Sequence, residues 1–224
     1  MTVVVIDAIL CLFLIVIGYI AAVYYLNNAK LNSVRLDLLR PTGRSKVLYL
    51  IFAVLVSALL IVLFQTTYRD STLIHQMKIM TLVLSILPMA AVDYRVHKIP
   101  NPFVLTALVF RIAFYVAELI ISSSAAVETL KDNLIGAAII GIFFLLILLV
   151  FKNSIGMGDI KLFALMGLYQ GVWGAVNSVF FSLVVSFFFS VFLLIAKRKG
   201  RKDQIAFGPS ILVGTIIAVA LSGI

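Results

Sequence analysis

The sequence predicts an all-α, polytopic transmembrane helical bundle of about eight spans, and three observations carry that reading. Of 224 residues, 63% are hydrophobic and only 12% are charged, whereas a soluble domain carries about 45–50% apolar residues and about 25% charge. The mean hydropathy is +1.20, more apolar surface than a water-facing fold can bury. The apolar residues also fall into separate runs, several near the roughly 20 residues that a helix needs to cross a hydrocarbon core about 30 Å thick.

The first run covers residues 3–26. It lacks the basic n-region of a signal peptide and is too long for an h-region, so it is expected to be a retained span. The second covers 47–64. The third, 79–92, is about 21 Å long at 1.5 Å per residue, short of a crossing. Extending it to full length draws Asp93 inside the membrane boundary. The fourth and fifth cover 103–121 and 134–151. A sixth begins near Ile160 and fades around Gly171 and Gly174, interrupted also by Gly167, Tyr169 and Gln170. A seventh covers 175–196 and an eighth 207–224.

Loop charge sets the orientation. Lys30, Arg35, Arg40, Arg44 and Lys46 follow the first run, against Asp37; Arg95 and Lys98 follow the third. Lys152 and Lys161 follow the fifth, and Lys197, Arg198, Lys199, Arg201 and Lys202 the seventh. The even-numbered loops hold only Arg69, Lys78 and Lys131. Positive-inside counting therefore puts the odd loops in the cytoplasm and both termini outside. A net charge of +9 is no nucleic-acid footprint here, because the basic residues sit in short loops and no nucleic-acid-binding motif accompanies them.

Two polar segments fall on the cytoplasmic side. In Asp93-Tyr-Arg-Val-His-Lys-Ile-Pro-Asn101, Pro100 forces Ile99 out of helical geometry. Asn101 is then suited to cap the next helix, with Pro102 at its first position. An ordinary loop with a solvated Asp would read the same way. In Gly156-Met-Gly-Asp-Ile-Lys161, two glycines allow close helix approach, and Asp159 opens the sixth run, although a simple capping Asp would also fit. Taken together, the segments put two carboxylates, 66 residues apart in sequence, on one side of the membrane. Nearby carboxylates share a proton. One can then act as base toward a water and the other as acid toward a carbonyl oxygen, as a pair with joint titration. Such a pair hydrolyses a peptide bond with no metal and no nucleophilic side chain.

These residues resemble the type IV prepilin peptidase family, integral membrane aspartyl peptidases with a GxGD motif. The family's Asp six residues before Ile-Pro-Asn is matched by Asp93 and Ile99-Pro100-Asn101. Its GxGDxKLxA stretch is matched by Gly156, Gly158, Asp159, Lys161, Leu162 and Ala164, and its late FGP element by Phe207, Gly208 and Pro209, with Ala206 where proline is frequent. The match runs from about residue 79 to the end, which implies N-terminal helices with a basic loop over 1–78 and a catalytic domain over 79–224. The resemblance implies Asp93 and Asp159 as catalytic residues, supported by Gly156, Gly158, Lys161, Lys98, Pro100 and Asn101. It implies an aspartic endopeptidase of the cell membrane that removes the short basic leader of prepilin-like precursors at the cytoplasmic face, with no cofactor or metal. Many bacterial members also carry a domain with paired Cys-x-x-Cys zinc motifs, associated with N-methylation of the product. Cys11 is the only cysteine, so that domain and the methyltransferase are expected to be missing, as in short forms used with tight-adherence pili or archaeal-type filaments.

Other residues carry less. Arg111 sits mid-way along the fourth run, a costly place for a charge, and Glu118 lies seven residues on, on the same helical face; a structural pair is expected. Lys161 is placed to steady a carboxylate or touch a head group. His75, in an outer loop, and His97 have no neighbouring cysteine or histidine with which to hold a metal. Asp7 is expected at the outer interface, and Cys11 as a packed or lipid-facing side chain. Two rival readings stay open. A presenilin-like protease would need its first aspartate deeper in a span, and an ion-coupled transporter would use Asp93 and Asp159 as a proton relay. The pilin, the filament system, the host and the oligomeric state are not written in these residues.

Overall fold

The computed structural model describes residues 2–28, 44–69, 71–151, 155–196 and 205–222. Among them are seven helices and no strand: α1 (Thr2–Asn28), α2 (Arg44–Thr66), α3 (Leu73–Val96), α4 (Asn101–Ile121), α5 (Ser123–Val150), α6 (Met157–Ile195) and α7 (Gly208–Ser222). Six of these are long and apolar enough to cross a membrane, so the chain is a multi-pass membrane protein. The basic clusters Lys30–Arg40 and Lys197–Lys202, with Lys152, lie outside the described residues.

α3 is the centre of the bundle. From Ile79 to Asp93 all but two of its side chains are buried, Ser85 and Ala91 being half-exposed, and it packs against α1, α2, α4, α6 and α7. α1 runs parallel to it: Cys11 Sγ lies 3.5 Å from Met80 Sδ, Gly18 faces the Pro88 ring, and Tyr25 packs at a tilt against Phe103 at the start of α4. α2 returns beside α1, with Tyr49 against Tyr19. Just past its end, the Tyr68 hydroxyl donates to the Val219 carbonyl of α7 at 2.8 Å. Both described chain ends therefore lie at the end of the bundle opposite Asp93. The outward faces of α1, α2, α4 and α5 are lined with exposed Val, Leu, Ile and Phe, as lipid-facing helices require.

α6 is the exception to straight helices. Its 39 residues would make a rod about 58 Å long, nearly twice the hydrocarbon thickness. Gly171, at φ 71° and ψ −168°, breaks it and folds the chain back. Phe163 and Leu183 consequently line one cavity, although an unbroken helix would hold them about 30 Å apart. The break frees two backbone groups. The Leu168 carbonyl loses the Val172 amide, its normal i+4 donor, and accepts from Arg111 Nε at 2.7 Å instead. The Val172 amide turns to Asp132 Oδ1 at 3.5 Å. A cation thus caps the C-terminus of the first arm and a carboxylate the N-terminus of the second, each matching the local helix dipole. Irregular backbone survives at membrane depth only when it is buried and satisfied in this way. Small residues bring α5 against the break: a Cβ on Gly136 would meet the Gly171 carbonyl carbon at 2.7 Å, and one on Gly167 would collide with Ala137.

The seven helices thus make eight rods, divided within the 171–174 stretch that the sequence singles out. The first arm of α6, residues 157–170, is about 21 Å long, shorter than the hydrocarbon thickness. Several expectations are corrected. α5 starts at Ser123, separated from α4 by Ser122 alone; its polar first turns hid it from a hydropathy reading. α3 starts at Leu73 and takes in His75 and Lys78, which the hydropathy pattern leaves in a loop. Lys78 is buried and pairs with Glu118, which also meets Arg111 Nη1 at 3.3 Å; the expected Arg111–Glu118 pair is part of this larger cluster. Asp7, near the start of α1, is packed inside the bundle: it is only 3% exposed, and its Oδ1 has no hydrogen-bond partner.

Candidate active site

Asp93 lies in the last turn of α3 and is 5% exposed. The helix stops four residues later at His97, whose backbone adopts the left-handed conformation (φ 53°) and whose amide donates to the Asp93 carbonyl. Asp159 lies in the first turn of α6. Gly156 is the N-cap, and the Asp159 side chain reaches back to its amide, half of the reciprocal arrangement seen in capping boxes.

The two motifs meet physically. A Cβ on Gly158 would lie 2.9 Å from Ile99 Cβ, so only glycine lets the start of α6 sit against the Ile99-Pro100 turn. Asn101 does not cap α4 as expected. Pro100 is the N-cap, with no side-chain hydrogen bond to the helix, and Asn101 Oδ1 instead accepts from Lys161 Nζ at 2.9 Å. Lys161 therefore ties the helix bearing Asp159 to the segment that follows Asp93, and touches neither carboxylate. Gly208, the first residue of α7, donates its amide to Asp93 Oδ2 at 2.7 Å. A Cβ there would stand 3.0 Å from both Ala90 Cα and Asp93 Cβ, so glycine is again what the close approach demands.

Asp93 and Asp159 face one another across two connected recesses and are near enough for the Asp93 charge to act on Asp159. The first recess, about 590 Å³, is walled by aromatic rings. Phe144 and Phe163 lie 4.6 Å apart between centroids, and Phe163 meets Phe207 edge-on at 5.7 Å. The second, about 340 Å³, is more polar and is bordered by Tyr25, His97, Lys98, Pro100, Asn101 and Gly158. The structure thus gathers Asp93, Asp159, Gly156, Gly158, Lys98, Pro100 and Asn101 in one place, with Lys161 one step outside. Sequence reasoning missed Tyr25, Phe144, Phe163 and Leu183. An aromatic or leucine in an apolar run carries no signal of what it faces, and only Phe207 was marked, by its place beside Gly208. An aspartate pair with one side walled by rings and the other by polar groups can hold a water against a peptide carbonyl.

The profile of the type IV leader peptidase family matches residues 79–195, a stretch that contains both aspartates. A protein of Bacillus subtilis (strain 168) named prepilin leader peptidase/N-methyltransferase is 30% identical over 129 residues, which cover 58% of this chain and 49% of that protein. The chain thus spans about half the length of this curated relative. No solved structure gives a significant match. The family profile covers more than half of the residues and takes in both motifs that build the cavity: this chain belongs to the type IV leader peptidase family.

Proposed function

We propose that the protein is an aspartic endopeptidase of the cell membrane that removes the short basic leader from prepilin-like precursors at the cytoplasmic face. The observation that carries the reading is the pairing of Asp93 and Asp159 across one cavity, each contributed by a family motif. The carboxyls hold one proton between them and a water against the scissile carbonyl. One takes a proton from the water as its oxygen bonds the carbonyl carbon, while the other gives its proton to the carbonyl oxygen. The resulting diol collapses: the carbon–nitrogen bond breaks, the amine leaves with a proton from the pair, and the shared proton is restored. The Gly208 amide occupies Asp93 Oδ2, leaving Oδ1 to face the water. Residues 79–224 make up the catalytic unit in this reading, and α1 and α2 pack on α3.

The unlike walls of the cavity suggest how the chain threads. The apolar stem of the precursor lies along Phe144, Phe163 and Phe207, and the leader crosses the polar recess toward Tyr25 and Asn101. The basic residues of the odd-numbered loops favour a cytoplasmic position for this end.

The test is leader removal from a co-expressed prepilin in membranes. Asp93→Asn and Asp159→Asn should each abolish cleavage while the protein still inserts. Full activity in either variant ends the proposal, and solute uptake lost with the aspartates, without a peptide product, would point to a transporter.

A further inference from the structure

On the face of α3 turned away from Asp93 there is a second recess, of about 480 Å³. It is a wedge between α2 and α7. At the far end the helices are pinned by the hydrogen bond from Tyr68 to Val219. At the aspartate end they splay, and Leu48 and Phe52 of α2 face Leu212 and Val213 of α7 across a floor made by Leu87 and Ala91 of α3. The lining is apolar until the mouth, where Tyr94, 65% exposed, and the exposed Arg95 close it. Among the described residues, no carboxylate pairs with Arg95.

We propose that this wedge binds an anionic phospholipid, with an acyl chain between α2 and α7 and the phosphate on Arg95. The chemistry at each end selects that occupant. A dry slot open to the bilayer takes a hydrocarbon chain, and a guanidinium at the mouth takes a phosphate in bidentate fashion. Basic pockets between transmembrane helices hold acidic head groups on these terms. Arg95 lies beyond the buried part of α3, two residues past Asp93, in a basic segment of the kind that the positive-inside rule sets beside the head groups. A helical protein stem would fill the slot equally well but gives Arg95 no partner. The site is separate from the proposed catalytic cavity and stands whatever the chain cleaves.

The test uses the purified full chain in phosphatidylcholine vesicles containing either a photoactivatable phosphatidylglycerol or a photoactivatable phosphatidylcholine at the same fraction, with labelled positions mapped by mass spectrometry. The phosphatidylglycerol probe should label residues 48–52 and 209–213 about fivefold more than the phosphatidylcholine probe, the effect of one basic side chain beside an anionic head group. Arg95→Gln should erase the preference, Arg95→Lys should retain it, and Ala91→Trp should remove both labels by filling the slot. Labelling of the lipid-facing Phe187–Phe189 surface should stay constant in every variant, which reports that the bundle is intact. Equal labelling by the two probes overturns the proposal, as does an undiminished preference in Arg95→Gln. Displacement of the label by an apolar helical peptide, but not by unlabelled phosphatidylglycerol, also overturns it and assigns the slot to a protein.

Discussion

Gly171→Ala tests the broken helix directly. At φ 71° and ψ −168°, Gly171 lies in a region essentially reserved for glycine, where any side chain costs about 1–3 kcal/mol. The added Cβ would also collide with Asp132 Oδ2. That carboxylate is on an exposed, flexible side chain and can swing away, but in doing so it releases the Val172 amide at a cost of about 0.5–1.5 kcal/mol. The substitution should therefore destabilise the protein by roughly 2–4 kcal/mol. For a chain of this size that lowers Tm by roughly 5–15 °C. Gly141→Ala is the matched control, because its Cβ would find only Ala164 Cβ at 3.5 Å, an ordinary contact. It should leave Tm unchanged or raise it, since alanine gains up to about 1 kcal/mol over glycine inside a helix. Thermal unfolding of both variants in the same detergent decides the matter. If Gly171→Ala melts with the wild type, or moves with Gly141→Ala, the chain does not reverse at Gly171 and the two-arm description fails.

Three further outcomes follow from the same contacts. Gly158→Val should leave the bundle folded but cut leader removal by at least about tenfold, because Ile99 Cβ, 2.9 Å from the new atom, is held by backbone and the start of α6 must shift; a shift of 1 Å can cost about a hundredfold in rate. Lys161→Met and Asn101→Leu should each lower cleavage several-fold, and a double-mutant cycle on cleavage rates should show a coupling of about 0.5–1.5 kcal/mol; additive effects would mean that the 2.9 Å contact is idle. Glu118→Gln should destabilise more than Lys78→Met in thermal melts: the first leaves two buried cations without a counter-charge, a loss of about 3–5 kcal/mol, while the second leaves the neutral pair of Arg111 and Glu118 intact.

The number of rods and the two acids were legible in the sequence because both depend on local patterns. Apolar length announces a span, and Asp93 and Asp159 stand out as charges beside helix breakers. What could not be read was anything settled by contact between distant elements. The polar first turns of α5 look like a loop until Asn133 is seen buried against Gly171. Lys78 looks like a loop cation until Glu118 arrives from α4 to hold it. Asn101 is an excellent cap by residue type, yet the Lys161 ammonium competes for its oxygen and wins. The Phe144–Phe163–Phe207 wall had no signature at all, since an apolar ring lining a cavity and one facing lipid are the same letter.

α4 has a role that neither motif suggests. It begins directly after the turn that ends the Asp93 helix, and its first residue, Asn101, takes Lys161 near the start of α6. About two turns on, the Ala107 carbonyl accepts the Tyr169 hydroxyl at 2.6 Å, and one turn further Arg111 caps Leu168. The first arm of α6 is thus held to α4 at both ends, with Asp159 on the short stretch between Gly158 and Lys161. An axial slip of one residue, about 1.5 Å, would break all three hydrogen bonds together, so the height of Asp159 is fixed by contacts that reach some 15 Å up the bundle. Asp93 is fixed separately, by Gly208 on α7 and by the left-handed turn at His97. The spacing of the two acids is therefore set by two groups of anchors, and α4, continuous with the turn after Asp93 and bonded along the arm that carries Asp159, is the element that joins them and keeps that spacing constant.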